Sequence, residues 1–131
     1  MDDNNQYSIY VNTLNTRRFR MDSKLQRPRL LYITTHGKAA LGLMQGQLAT
    51  VRQRGFDVTV AASPSWELDE VTDREDVPTI GVPMNREITP LQDLVALFRL
   101  IRVMKQVRPD IVNAGTPKAG LLGMIAARIV N

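Results

Sequence analysis

Four side chains that can hold an anion or exchange a proton stand just beyond short apolar segments: His36, Lys38, Arg86 and Lys118. The richest setting is Asp110-Ile-Val-Asn-Ala-Gly-Thr-Pro-Lys-Ala-Gly-Leu-Leu-Gly123. Gly115 breaks an apolar run there. Thr116 is placed to cap a following helix with its hydroxyl, and Pro117 fits the first helical position, where its missing N–H is no loss. Lys118 then projects from the first turn. Ala119, Gly120 and Gly123 are small enough to let the helix lie close on a sheet. A strand, a glycine turn and a helix N-terminus make a corner for anions, because free N–H groups and the helix dipole point the same way. A second such corner, Thr35-His36-Gly37-Lys38, follows another apolar run.

Each residue also has a plainer reading. His36 is a ligand or a base, or else a loop histidine bonded to its own backbone. Lys38 and Lys118 can face one phosphate from two sides, or simply be solvated. Arg86 can fork onto a phosphate or carboxylate, or pair with its neighbour Glu87.

The elements that must position these residues are legible. Arg29 to Thr35 is continuously apolar, as a strand covered on both faces must be. Leu41, Met44, Leu48 and Val51 repeat as one face of a helix, which Gly55 stops. Asp57 to Ala62 reads as the second strand, and Trp66 to Arg74 as a short acidic helix or loop. Thr79 to Pro83 is a third strand whose Gly81 and Pro83 suggest an edge. Thr89 and Gln92 have capping-box spacing around Pro90 and open a long helix. Leu94, Leu97, Ile101, Met104 and Val107 form its expected core stripe, and the helix ends near Arg108, before Pro109. Asp110 to Ala114 is the fourth strand.

Strands alternating with helices predict an α/β fold, a doubly wound parallel sheet with helices on both faces. Right-handed crossovers favour the order 3-2-1-4. The first and fourth strands then lie side by side, and their carboxyl ends flank a crevice between the two anion corners.

Composition narrows the function. The 131 residues hold no cysteine and one histidine, which removes thiolate and multi-histidine metal sites. No apolar run approaches the roughly 18 residues of a membrane span, and the polar, acidic start is no secretory signal. The net charge of +4 sits mostly in the leader: six Lys/Arg against three Asp in residues 1–29, eleven against ten thereafter. No basic run carries interleaved aromatics, so nucleic acid is not an expected partner. Residues 1–27 are expected to form a flexible extension, in which Tyr7 to Val11 is at most a stray strand and Arg17-Arg18-Phe19-Arg20 a weak surface cluster. The chain lacks G-x-G-x-x-G after the first strand, a phosphate-binding G-x-x-x-x-G-K-[ST] loop, and G-x-S-x-G.

Four stretches carry a resemblance: Leu43 to Gly55 with Asp57-Val-Thr-Val, Val82 to Leu94, Arg108-Pro-Asp-Ile-Val112, and Thr116 to Gly123. Together they resemble the amino-terminal domain of family 4 glycosyltransferases of the bacterial surface-polysaccharide type, from about Pro28 to Asn131. The resemblance implies a Rossmann-like half of a two-domain GT-B fold, with residues 28–131 forming part of that half. It implies sugar transfer from a nucleotide-sugar to a lipid-diphosphate-linked or saccharide acceptor, without a metal or cofactor. It also favours a functional Arg86. The donor is expected to be held mainly by a carboxyl-terminal domain that lies outside these residues, as do the paired glutamates of that domain. The chain is accordingly expected to be a truncated, inactive fragment whose catalytic residues cannot be assigned. The implied location is cytoplasmic, with peripheral contact to anionic membrane for which Arg99, Arg102 and Lys105, joined by Arg17, Arg18 and Arg20, are the candidates. The alternative is a stand-alone phosphate- or nucleotide-binding module. The expected binding set is Thr35, His36, Gly37, Lys38, Arg86, Thr116 and Lys118.

Overall fold

A computed structural model describes residues 26–131. The Tyr7–Val11 segment, the Arg17–Arg20 cluster and nearly all of the expected extension lie outside the described residues.

Four strands form one parallel sheet: β1 (Arg29–His36), β2 (Asp57–Ser63), β3 (Thr79–Gly81) and β4 (Ile111–Ala114). Their order is β3-β2-β1-β4, with Leu31 opposite Thr59 on one side and Val112 on the other. β1 is central, and Leu30 to Thr35 are all buried in it, which is why its sequence lacks a polar alternation. β3 is an edge strand, as Gly81 and Pro83 suggested. Gly81 also lets Pro64 approach; a Cβ there would lie 2.9 Å from the proline ring.

Helices cover both faces. On one lie α1 (Gly37–Leu43), α2 (Gln47–Gln53) and α3 (Trp66–Glu75); on the other lie α4 (Pro90–Val107) and α5 (Pro117–Val130). Side chains of β1 alternate between the two cores. Leu31 and Ile33 join Leu100, Met104 and Leu122 beneath α4 and α5, whereas Leu30 and Tyr32 join Leu48, Leu68 and Val71 on the other side. Each fully buried side chain of this kind stabilises the fold by about 1.5–3 kcal/mol, so both helical layers are firmly anchored.

Three local expectations are corrected. The single helix expected up to Gly55 is two, because Gly46 takes a left-handed conformation (φ 75°) between α1 and α2. Buried Glu75, at the end of α3, accepts hydrogen bonds from the N–H groups of Gly46 (2.8 Å) and Ala49 (3.0 Å), so a carboxylate from another helix fastens the start of α2. The capping box at α4 does not form. Asp93, not Gln92, accepts from the Thr89 N–H, at 3.0 Å, while Gln92 bonds to Asn85. The core stripe of α4 is rotated as well. Ala96, Leu100, Val103 and Met104 are buried, Leu97, Ile101 and Val107 pack against the core partly covered, and Leu94 is half exposed. The helix does end as expected, with Arg108 in the left-handed region (φ 49°) before Pro109.

Candidate functional site

β1 and β4 leave the sheet side by side, and the chain crosses over in opposite senses on either side of them. That is the switch point at which open α/β sheets bind ligands. A cleft of about 1040 Å³ opens there. Thr35, His36, Lys38, Arg86, Thr116 and Lys118 all line it, together with Ser63, Ser65, Glu67 and Asp93. Six of the seven residues picked from the sequence therefore converge on one cavity. Gly37 does not line it. It is the first residue of α1 and is buried against the start of α3, where a Cβ would come within 2.6 Å of the Ser65 hydroxyl and 2.7 Å of the Leu68 nitrogen, so its part is close packing.

The floor joins the two strand ends. The Thr35 N–H donates to the Thr116 hydroxyl at 3.1 Å, and the two hydroxyls lie 2.6 Å apart. Thr116 thus makes no side-chain cap on α5. Its oxygen is taken by the neighbouring strand, so the first amides of α5 face the cleft uncapped by it. His36 ends β1 with extended backbone and does not cap α1, so the backbone-bonded alternative for its ring is not what the structure shows at that helix.

Lys118 is neither solvated nor unpaired. Its ammonium lies 2.5 Å from Asp93 and also donates to the Glu87 carbonyl, with both side chains largely covered. Asp93 accepts from the Thr89 N–H and hydroxyl besides. The hydrogen bond from Lys118 is the largest of the influences that hold the Asp93 carboxyl below the usual carboxylate value, followed by the Thr89 amide. One acid therefore caps α4, neutralises part of Lys118 and ties the 85–89 loop to α5. Sequence reasoning missed it because Asp93 and Lys118 sit on different helices and no local spacing links them. Arg86 and Lys38 are exposed at the cleft and make no ion pair among the described residues; Arg86 does not pair with Glu87. The wall carries more cations than anions, and Ile88, Leu43 and Leu121 make its lip apolar.

A floor of paired strand ends, a helix start without a side-chain cap, and cations beside an apolar lip make up this cleft. Residues 43–130 match the family described as "Glycosyl transferase 4-like domain", and the chain belongs to that family. Among curated relatives, the capsular polysaccharide biosynthesis glycosyltransferase CapM of Staphylococcus aureus is 37% identical over 105 residues, 80% of this chain and 27% of that protein. The Escherichia coli UDP-Gal:alpha-D-GlcNAc-diphosphoundecaprenol alpha-1,3-galactosyltransferase is 33% identical over 75 residues, covering 56% of this chain and 19% of that one. The chain thus spans about a quarter or less of the curated relatives it matches. Among solved structures, Acinetobacter baumannii MurG superposes with a TM-score of 0.61 at 24% identity, over 79% of this chain and 33% of that one. A glycosyltransferase from Rickettsia africae ESF-5 gives 0.64 at 14% identity, over 80% and 28%. These likenesses show the fold, a Rossmann-like half of the GT-B type.

Proposed function

We propose that this chain supplies the acceptor side of a glycosyltransferase that moves a hexosyl group, with retention, from a nucleotide-sugar to a lipid-diphosphate-linked acceptor in surface-polysaccharide assembly. The observation that carries the proposal is the cleft at the ends of β1 and β4, where Lys38, Arg86 and Lys118 surround a floor made by Thr35 and Thr116 beneath an apolar lip. Such a site suits a diphosphate joined to a hydrocarbon: charge-assisted hydrogen bonds hold the head, and the lip shelters the first carbons. The donor name of the E. coli relative, a UDP-sugar, and its lipid-diphosphate acceptor match this division of chemistry. In transfer, the bond from the sugar's anomeric carbon to the donor phosphate breaks, and one from that carbon to an acceptor hydroxyl oxygen forms. His36 stands at the cleft where it can orient that hydroxyl or take its proton.

The reading places nucleotide binding and turnover in the longer arrangement of the relatives and none in these residues alone. A lipid-linked acceptor also sets the working location at the inner face of the plasma membrane. Calorimetric titration of the chain with farnesyl diphosphate and with UDP tests the proposal. Farnesyl diphosphate should bind and UDP should bind at least about tenfold more weakly. UDP binding as tightly as the prenyl ligand would favour a stand-alone nucleotide-binding module instead.

A further inference from the structure

The segment that carries Arg86 is fastened to the fold on both sides of that residue, while the arginine itself is not. β3 ends at Gly81, yet the Val82 N–H still donates to the Ala62 carbonyl at 2.7 Å, so the chain runs on beside β2. Val82 and Met84 are buried in the core beneath α4 and α5. Asn85 to Ile88 are exposed, and Arg86 and Ile88 line the cleft.

The first fastening is Ser63, the last residue of β2. Its hydroxyl donates to the Met84 carbonyl at 2.7 Å and accepts from the Met84 N–H at 2.8 Å. A serine hydroxyl can do both at once, so one side chain satisfies both backbone groups of a residue 21 positions away. The next residue, Pro64, lies close against Gly81, which seats the end of β2 beside the end of β3. The second fastening is Lys118, whose ammonium donates to the Glu87 carbonyl and pairs with Asp93. Asn85 is bonded to Gln92, and Thr89 to Asp93. Arg86 stands between these ties and makes no ion pair among the described residues. Its place at the cleft is therefore set by the backbone beneath it. Two of the three ammonium hydrogens of Lys118 are committed, which makes the planar fork of Arg86 the larger free source of donors for an anion. A loop held before the ligand arrives spares the ligand the entropy of ordering it.

We propose that Ser63 is a positioning residue for Arg86: it fixes Met84 and, with Lys118 on Glu87, presents the Arg86 guanidinium to an anionic group in the cleft. This deepens the acceptor reading and rests on it only for what is joined to the anion. Pyrophosphate binding that depends on Ser63 and Arg86 together, without a preference for farnesyl diphosphate over UDP, would sink that reading and leave this one standing. Farnesyl diphosphate binding without that dependence would do the opposite.

The test is a double-mutant cycle on the chain, titrated with inorganic pyrophosphate and read by amide chemical shifts. Arg86→Ala should lower affinity by about tenfold or more. Ser63→Ala should lower it by about three- to tenfold in the natural chain, and by less than about twofold when Arg86 is already alanine. Ser63→Thr keeps the hydroxyl and should bind within about twofold of the natural chain. Ser63→Cys fills the same space with a weak donor and acceptor; it should show the same dependence on Arg86 at smaller size, and it serves where the alanine chain does not fold. Without ligand, Ser63→Ala should lower the heteronuclear NOE of the Arg86 amide and leave those of Thr35 and Thr116 unchanged. A serine that only supports the fold, or that touches the ligand itself, would cost the same in both backgrounds, and that result would overturn the proposal. So would natural affinity in the alanine and cysteine variants, weak binding by Ser63→Thr, or no binding of pyrophosphate by the natural chain.

Discussion

The two helical layers rest on the same sheet and bury comparable cores, yet their outer surfaces differ in kind. The layer of α1, α2 and α3 shows acids outward on α3 and an Arg52–Asp76 pair at the rim, with Leu43 and Trp66 exposed at its cleft end. The layer of α4 and α5 exposes Leu91, Leu94, Val95 and Phe98 on one helix and Leu121, Met124 and Ile129 on the other, with the cations Arg99, Arg102 and Lys105 among them. The inner faces are fixed by packing, which both layers satisfy alike. The outer faces are free of that demand, and the apolar side chains there are not explained by the packing of these residues. The lesson is that burial explains the fold of this chain, whereas the apolar outer face of α4 lies outside that explanation.

Four substitutions break or sharpen that comparison. The largest effect belongs to the shared interior. Leu100→Ala, fully buried under α4, should destabilise the chain by about 2–5 kcal/mol in chemical denaturation. Glu75→Ala comes next, on the acidic layer. It leaves the amides of Gly46 and Ala49 without their acceptor and should cost about 1–3 kcal/mol, with faster amide exchange confined to the start of α2. A smaller effect follows at the cleft. Lys118→Ala removes a cation and leaves Asp93 facing any anion, so farnesyl diphosphate should bind more weakly by about 1–2 kcal/mol. Smallest of all, Leu91→Ser on the outer face should change stability by no more than about 0.5 kcal/mol in the same denaturation experiment. A large loss of stability there would mean that the outer face is part of the core after all.

Acid sharpens the same contrast. Asp93 has its folded value depressed, chiefly by Lys118. Its contribution is therefore complete above the ordinary aspartate value of about 3.9 and is lost as pH falls below it toward the depressed folded value. Asp93→Asn should flatten the acid limb of a stability curve measured below about pH 4 and leave its slope near neutral pH unchanged.

Much of this architecture was legible in residues alone. β1 could be read because a strand covered on both faces has to be apolar throughout, and the 3-2-1-4 order follows from the alternation of elements and the hand of crossovers. The convergence of Thr35, His36 and Lys38 with Thr116 and Lys118 followed from that order. Three things were not legible, for one physical reason: each depends on a partner remote in sequence. Gly46 breaks a continuous helical pattern because Glu75 arrives from α3. Thr116 gives up its cap because Thr35 takes its oxygen. Lys118 is held because Asp93 lies under it on another helix. The stripe of α4 misled differently. Apolar residues occur on both of its sides, so periodicity alone favoured Leu94 over Leu100 for the core. The excess that caused the error is the outer face itself.

The central claim is that the ends of β1 and β4 hold the diphosphate of a prenyl-linked acceptor. Amide chemical shifts of the isotope-labelled chain, followed during titration with farnesyl diphosphate, test it most directly. The account predicts saturable shifts concentrated at Thr35 to Lys38, at Arg86, and at Thr116, Lys118 and Ala119. Shifts gathered instead around Arg29, Arg108 and Asp110, which border a smaller cavity elsewhere on the fold, would contradict it.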